Sequence, residues 1–134
     1  MTPPARTPFL GAIRQKRLLS GQLNRRFRVM KLTVTEIQQI ASEIAESLHP
    51  QQVLLFGSYA EGTATDDSDL DLLIIMQSGE PRYKRSASVR KLFWPPKTAM
   101  DILVYTPEEV ARWNGVPNHV LTNAYMTGKV LYAA

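Results

Sequence analysis

The segment Asp69-Leu70-Asp71-Leu72-Leu73-Ile74-Ile75-Met76 restricts the fold of this chain more than any other. It is short, aliphatic and preceded by a Gly/Thr/Asp/Ser cluster, so it reads as a buried strand. Side chains alternate across a strand, which puts Asp69 and Asp71 on one face, about 6.6 Å apart along the chain. Met100-Asp101-Ile102-Leu103-Val104-Tyr105 reads as a second strand that also has an aspartate near its start. If the two strands are neighbours, roughly 4.8 Å apart, Asp101 joins the pair. Carboxylates gathered at one end of an apolar sheet repel one another and raise each other's pKa unless cations neutralise them.

The surrounding residues indicate which cation. Neither thiolate nor imidazole is offered nearby, and oxygen-only ligands select hard ions such as magnesium or manganese. Magnesium shares its shell with substrate phosphates, and a phosphate-holding element stands just upstream. Val53-Leu54-Leu55-Phe56 reads as a strand running into Gly57-Ser58, and Tyr59-Ala60-Glu61 as a short helix that Gly62 ends. Backbone N–H groups at such a turn point toward an anion, the Ser58 hydroxyl adds a donor, and Gly57 permits close approach. The expected site is one for magnesium and a nucleoside triphosphate, with Asp69, Asp71 and Asp101 as metal ligands and catalytic residues. Gly57, Ser58 and Ser68 are the candidate nucleotide contacts. Asp66, Asp67 and Ser68 also have the chemistry of plain turn formers. A calcium loop opening at Asp67 is excluded, because Leu72 occupies its required glycine position and Ser78 its required glutamate.

Gly57-Ser58, ten residues, then Asp69-Leu70-Asp71 resembles the signature of the DNA polymerase beta-type nucleotidyltransferases, and most closely the MNT (minimal nucleotidyltransferase) proteins. The resemblance runs from about Met30 through Asp101 to Ala124-Tyr125-Met126-Thr127-Gly128-Lys129-Val130-Leu131-Tyr132, which is similar to the family's closing helix and short strand. It implies an α/β nucleotidyltransferase fold with a small mixed β-sheet flanked by helices. It further implies ATP as substrate, two magnesium ions and attack of a hydroxyl on the α-phosphorus. By the same resemblance the partner is a HEPN-type toxin, which the chain opposes as antitoxin in a toxin-antitoxin pair by transferring AMP to a tyrosine (AMPylation). Glu61 departs from the pattern: related sequences often carry a basic residue there, where it can assist the triphosphate. Two other readings stand beside this one. The chain is a binding module that neutralises its partner sterically, or a small-molecule nucleotidyltransferase of the aminoglycoside-resistance kind. With only about a hundred residues for the domain, the acceptor is expected to bring its own binding surface.

Charge divides the chain in two. Of 16 Lys and Arg residues, Arg6, Arg14, Lys16, Arg17, Arg25, Arg26 and Arg28 fall in residues 1–29, which hold no acid; nine remain against all 12 acids in residues 30–134. The first segment is expected to be a basic, flexible extension, and the second the nucleotidyltransferase domain. Arginine-rich segments bind nucleic acid or acidic partners, and an acid-poor start also resembles a transit peptide; the site chemistry depends on neither. The absence of cysteine removes disulfides and thiolate sites and fits a reducing cytoplasm. The longest strongly apolar run, Leu72 to Met76, is far short of the roughly 20 residues of a membrane span.

From Met30 the expected order is helix, strand, helix, strand, helix, strand, helix. Thr33 or Thr35 caps a helix reaching Leu48, with Ile37, Ile40, Ala41, Ile44, Ala45 and Leu48 on its apolar side. Arg82 to Phe93 is expected as one substantial helix whose Arg82, Lys84, Arg85, Arg90 and Lys91 face solvent, with one or two able to reach a triphosphate or an acidic partner. Thr106-Pro107-Glu108-Glu109 carries a helix start. Pro117 to Thr127 is expected as the last helix, with Gly128 its terminator. His49 and His119 read as helix-end residues, not catalysts.

Overall fold

The computed structural model describes residues 30–134, so the expectation for the basic N-terminal segment lies outside the described residues. Helix α1 spans Val34–Leu48 and begins at a complete capping box: the Thr33 hydroxyl accepts the Glu36 N–H while the Glu36 carboxylate accepts the Thr33 N–H. Each bond satisfies a donor that a helix start otherwise leaves orphaned. Ile37, Ile40, Ala41, Ile44 and Ala45 are buried, as their spacing predicts, and His49 ends the helix with φ 51°.

Strands β1 (Gln52–Phe56), β2 (Leu70–Ile75), β3 (Met100–Tyr105) and β4 (Lys129–Ala133) form one sheet in the order β3-β2-β1-β4. β1 is antiparallel to both β2 and β4, whereas β2 and β3 are parallel, so the sheet is mixed as expected. Alternation along the strands feeds two cores. Val53, Leu55, Leu70, Leu72, Ile74, Ile102 and Val104 pack under α1 and helix α3 (Ala87–Leu92), which contributes Val89. Leu54, Leu73, Ile75 and Tyr105 pack on the other face with Leu121 and Ala124 of helix α5 (Val120–Thr127). A sheet covered on both sides explains why β2 reads as an unbroken aliphatic run and not an alternating one.

The crossover from β2 to β3 departs from expectation. Instead of one helix over Arg82–Phe93, a 3-10 turn at Arg82–Lys84 precedes α3. The reason is Arg85, expected on solvent, whose side chain is only 8% exposed. Its guanidinium donates to the Glu109 carboxylate, to the Glu80 carbonyl and to the Val104 carbonyl on β3. Glu109 belongs to helix α4 (Pro107–Trp113), which has its own capping box on Thr106.

The last helix starts later than expected, at Val120, because Asn118 has φ 66° and His119 caps the helix by accepting the Leu121 N–H on its Nδ1. Gly128 ends it, though with φ −87° and not in the left-handed region. Glycine is needed there for space: a Cβ would collide with the carbonyl oxygens of Ala124 and Leu55, where the chain turns tightly into β4.

Candidate functional site

The parallel pairing of β2 with β3 builds the site. Asp71 and Asp101 are register partners, and aligned residues of paired strands project to the same side of the sheet. Asp69, directly before β2, falls on that side by alternation. Leu70 N–H donates to the Ala99 carbonyl at 2.9 Å, so the pairing already holds where the two strands enter the sheet. Asp69 and Asp101 are exposed, and Asp71 is half-buried between them and the β1 end.

Phe56, the last residue of β1, is the register partner of Asp71, which brings Gly57 over the aspartate. Gly57 has φ 74°, and a Cβ built on it would run into the Asp71 carboxylate, with Cγ at 2.9 Å. Both backbone angle and space therefore demand glycine. Gly57 is the N-cap of helix α2 (Ser58–Glu61), which Gly62 ends at φ 80° as expected. Ala60 and Glu61 N–H groups donate to the Gly57 carbonyl. Those of Ser58 and Tyr59 have no carbonyl partner within the helix, as in the first turn of any helix.

Electrostatics marks the same corner. Burial, then the charges of Asp101 and Asp69, push the Asp71 carboxyl up to about 6. Among the described residues no three or more His, Cys, Asp or Glu side chains are drawn together tightly enough to form a ready-made metal cage. The carboxylates thus share a face and a field without closing on a point. The donor set still suits a hard divalent cation: it is all oxygen, and a cation would oppose the charge repulsion that raises Asp71.

Ser68 is tied up in its own loop. Its Oγ accepts the Thr65 N–H at 2.8 Å and its N–H donates to the Thr65 carbonyl at 3.0 Å. Glu61, Asp66 and Asp67 are exposed on the same α2–β2 stretch.

Three contacts near this corner were not foreseen in the sequence. Asp66 accepts the Lys31 N–H and the Tyr59 hydroxyl accepts the Leu32 N–H, fastening the loop and α2 to the chain entering α1. Arg90 of α3 donates to the Met100 carbonyl at 3.1 Å, immediately before Asp101. The cluster of basic residues on the crossover was a visible signal, but which one would reach β3 depended on the fold.

Residues 36–131 match the family model described as nucleotidyltransferase domain. The chain belongs to the nucleotidyltransferase domain family. Among solved structures, this nucleotidyltransferase resembles a toxin-antitoxin crystallised with AMP-PNP, at TM-score 0.52 and 18% identity over 72% of this chain and 73% of that one. It is also similar to a variant of the toxin-antitoxin MntA-HpeT, at TM-score 0.48 and 17% identity over 77% and 75% of the two chains. A Sulfolobus solfataricus protein assigned as a nucleotidyltransferase gives TM-score 0.46 and 26% identity over 57% of this chain and 68% of that one. No curated protein matches the chain significantly. Among the described residues no helix is long and apolar enough to cross a membrane.

Proposed function

We propose that this nucleotidyltransferase is an MNT-type antitoxin that transfers AMP from ATP to a hydroxyl of a HEPN-type toxin, a tyrosine by resemblance. The observation that carries the reading is the in-register pair Asp71–Asp101 on one face of the sheet, beside a glycine whose missing side chain makes room for Asp71. The sequence resemblance to MNT proteins supports the choice of acceptor. So does a fold shared with a toxin-antitoxin crystallised with AMP-PNP.

In this reading the β1–α2 turn receives the triphosphate through the Ser58 and Tyr59 N–H groups and the Ser58 hydroxyl. The toxin hydroxyl oxygen attacks the α-phosphorus, the bond to the oxygen bridging the α- and β-phosphorus breaks, and pyrophosphate leaves. Asp101, open to solvent, takes the hydroxyl proton. Asp69, Asp71 and Asp101 would hold magnesium, which supplies charge neutralisation of the phosphates and a more acidic acceptor hydroxyl. Water competes poorly as acceptor if the toxin covers the corner, where Asp69 and Asp101 are otherwise exposed.

The test is incubation of the purified pair with ATP labelled on the α-phosphate and magnesium. Label is expected on the toxin, and expected to vanish with Asp69→Asn or Asp71→Asn. Transfer that survives both changes would defeat the proposal. A second reading has its own observation: Glu61 places an acid at the end of α2, where it repels a triphosphate. If the double Asp variant still neutralises the toxin and stays bound to it, the chain works by covering its partner.

A further inference from the structure

We infer that Arg90 is a positioning residue for nucleotidyl transfer: by holding the Met100 carbonyl it fixes the peptide that carries Asp101, and so keeps that carboxylate aligned with Asp71. The proton-accepting role of Asp101 rests on the preceding reading, whereas the hold on its backbone stands on separate observations.

Asp101 is the less securely placed of the pair. Asp71 lies on β2, which has a neighbour on each side, but β3 is an edge of the sheet and Asp101 is only its second residue. A strand end with a ladder on one side opens more easily than a central strand. The approach to it adds little support. Trp94, Pro95, Pro96 and Lys97 are exposed, and of residues 93–99 only Thr98 is buried.

Arg90 bridges that arm. Carbonyls alternate in direction along a strand: those of Ala99 and Tyr105 turn inward and accept the N–H groups of Leu70 and Met76. Those of Met100 and Val104 turn outward, where Arg90 and Arg85 donate to them at 3.1 and 3.2 Å. The Met100 carbonyl shares one rigid, planar peptide with the Asp101 nitrogen. Pinning its oxygen therefore fixes the plane from which the Asp101 side chain departs. The donor is itself anchored, because Val89 beside it is fully buried in the core.

The two arginines on this edge differ in what they hold. Arg85 is buried, paired with Glu109 and sits at the end of β3 away from the carboxylates. Arg90 is exposed and, among the described residues, forms no ion pair. It comes from the α3 side of the sheet, while Asp101 projects to the side of Leu103 and Tyr105, so it acts through the backbone and not on substrate. Loss of so exposed a contact costs the fold little, yet it stands one residue from a reacting group, where small displacements cost rate.

The experiment compares the full chain as wild type, Arg90→Ala, Asp101→Asn and the double variant. AMP transfer to the toxin is followed with labelled ATP, and amide hydrogen exchange is followed residue by residue. Arg90→Ala is expected to lower kcat about tenfold while KM for ATP stays within about twofold, since the phosphate-holding turn lies elsewhere, on β1 and α2. Exchange of the Asp101 amide is expected to quicken, and exchange at Leu54 and Leu73 in the middle of the sheet to stay level. In the Asp101→Asn background the same change is expected to cost less than about twofold of the residual transfer, because nothing is left to position. An unchanged kcat would overturn the proposal. So would faster exchange throughout the sheet, which marks a general loosening, or effects that multiply in full in the double variant. If wild type transfers no label, the AMP-transfer reading fails and exchange alone decides: quickening confined to the start of β3 upholds the hold on Asp101, and an unchanged rate overturns it.

Discussion

Two groups of charged side chains are built into this sheet, and they are solved in opposite ways. At the C-terminal end of β3, Arg85 meets Glu109 with a 2.7 Å contact and spends its other donors on main-chain carbonyls. At the opposite end, Asp69, Asp71 and Asp101 face the same side, and burial, then the charges of Asp101 and Asp69, push Asp71 up to about 6. The first group is a finished structural joint; the second carries repulsion that folding alone does not relieve. Charge left uncompensated at one end of an otherwise well-packed sheet marks where a ligand is expected.

The contrast can be tested most severely by removing charge from each group. Asp71→Asn is expected to reduce AMP transfer by at least about 100-fold, measured as label on the toxin, while the thermal midpoint stays level or rises because a repulsive charge is gone. Arg85→Ala is expected to reverse that pattern. It strands Glu109, 23% exposed, and two carbonyls, for a loss of about 2–4 kcal/mol in a urea titration. Comparable destabilisation by Asp71→Asn would mean that the two groups do the same job.

Gly57→Ala tests how tightly the carboxylate corner is fitted. With φ 74° and the Asp71 carboxylate in the way, a methyl group is expected to cost about 2 kcal/mol and most of the activity. Magnesium is expected to raise the thermal midpoint of the wild type by a few degrees, about the effect of 1 kcal/mol, and to lose that effect in Asp71→Asn.

The smallest expected effect is in acid. The Arg85 hydrogen bond, against some cost of burial, holds the Glu109 carboxyl below its ordinary value of 4.5. A carboxylate whose pKa is depressed by folding adds stability above its unfolded value and loses it as pH falls through the folded one. Stability should therefore decline below about pH 4.5, and Arg85→Ala should flatten that part of the profile.

Legibility in the sequence followed the same division. Asp71 and Gly57 could be placed because strand alternation and a glycine turn are local rules; β3 has the limits expected from Met100 to Tyr105, but Asp101 joins Asp71 only through the pairing of β2 with β3. Arg85 could not be placed, because its partners lie 19 and 24 residues away and nothing local distinguishes it from Arg82 or Lys84. That long-range bond also explains why the expected Arg82–Phe93 helix is divided. Ser68 was ambiguous for another reason: a hydroxyl next to Asp69 suits a ligand or a turn equally, and its bonds to Thr65 occupy it in the turn. Gly128 was identified as the stop of the last helix, but the crowding that requires it involves Leu55, far away in the chain.

Parallel pairing of β2 and β3 has one further consequence. Two parallel neighbours enter the sheet at the same end, so the path between them must return the length of the strands outside the sheet. The ladder itself sets Asp71 against Asp101, and the return path backs it through Val89 in the core, Arg85 on the Val104 carbonyl and Arg90 on the Met100 carbonyl. Exposed positions of that path are free to change, and with them whatever meets that surface, while the paired aspartates stay where they are.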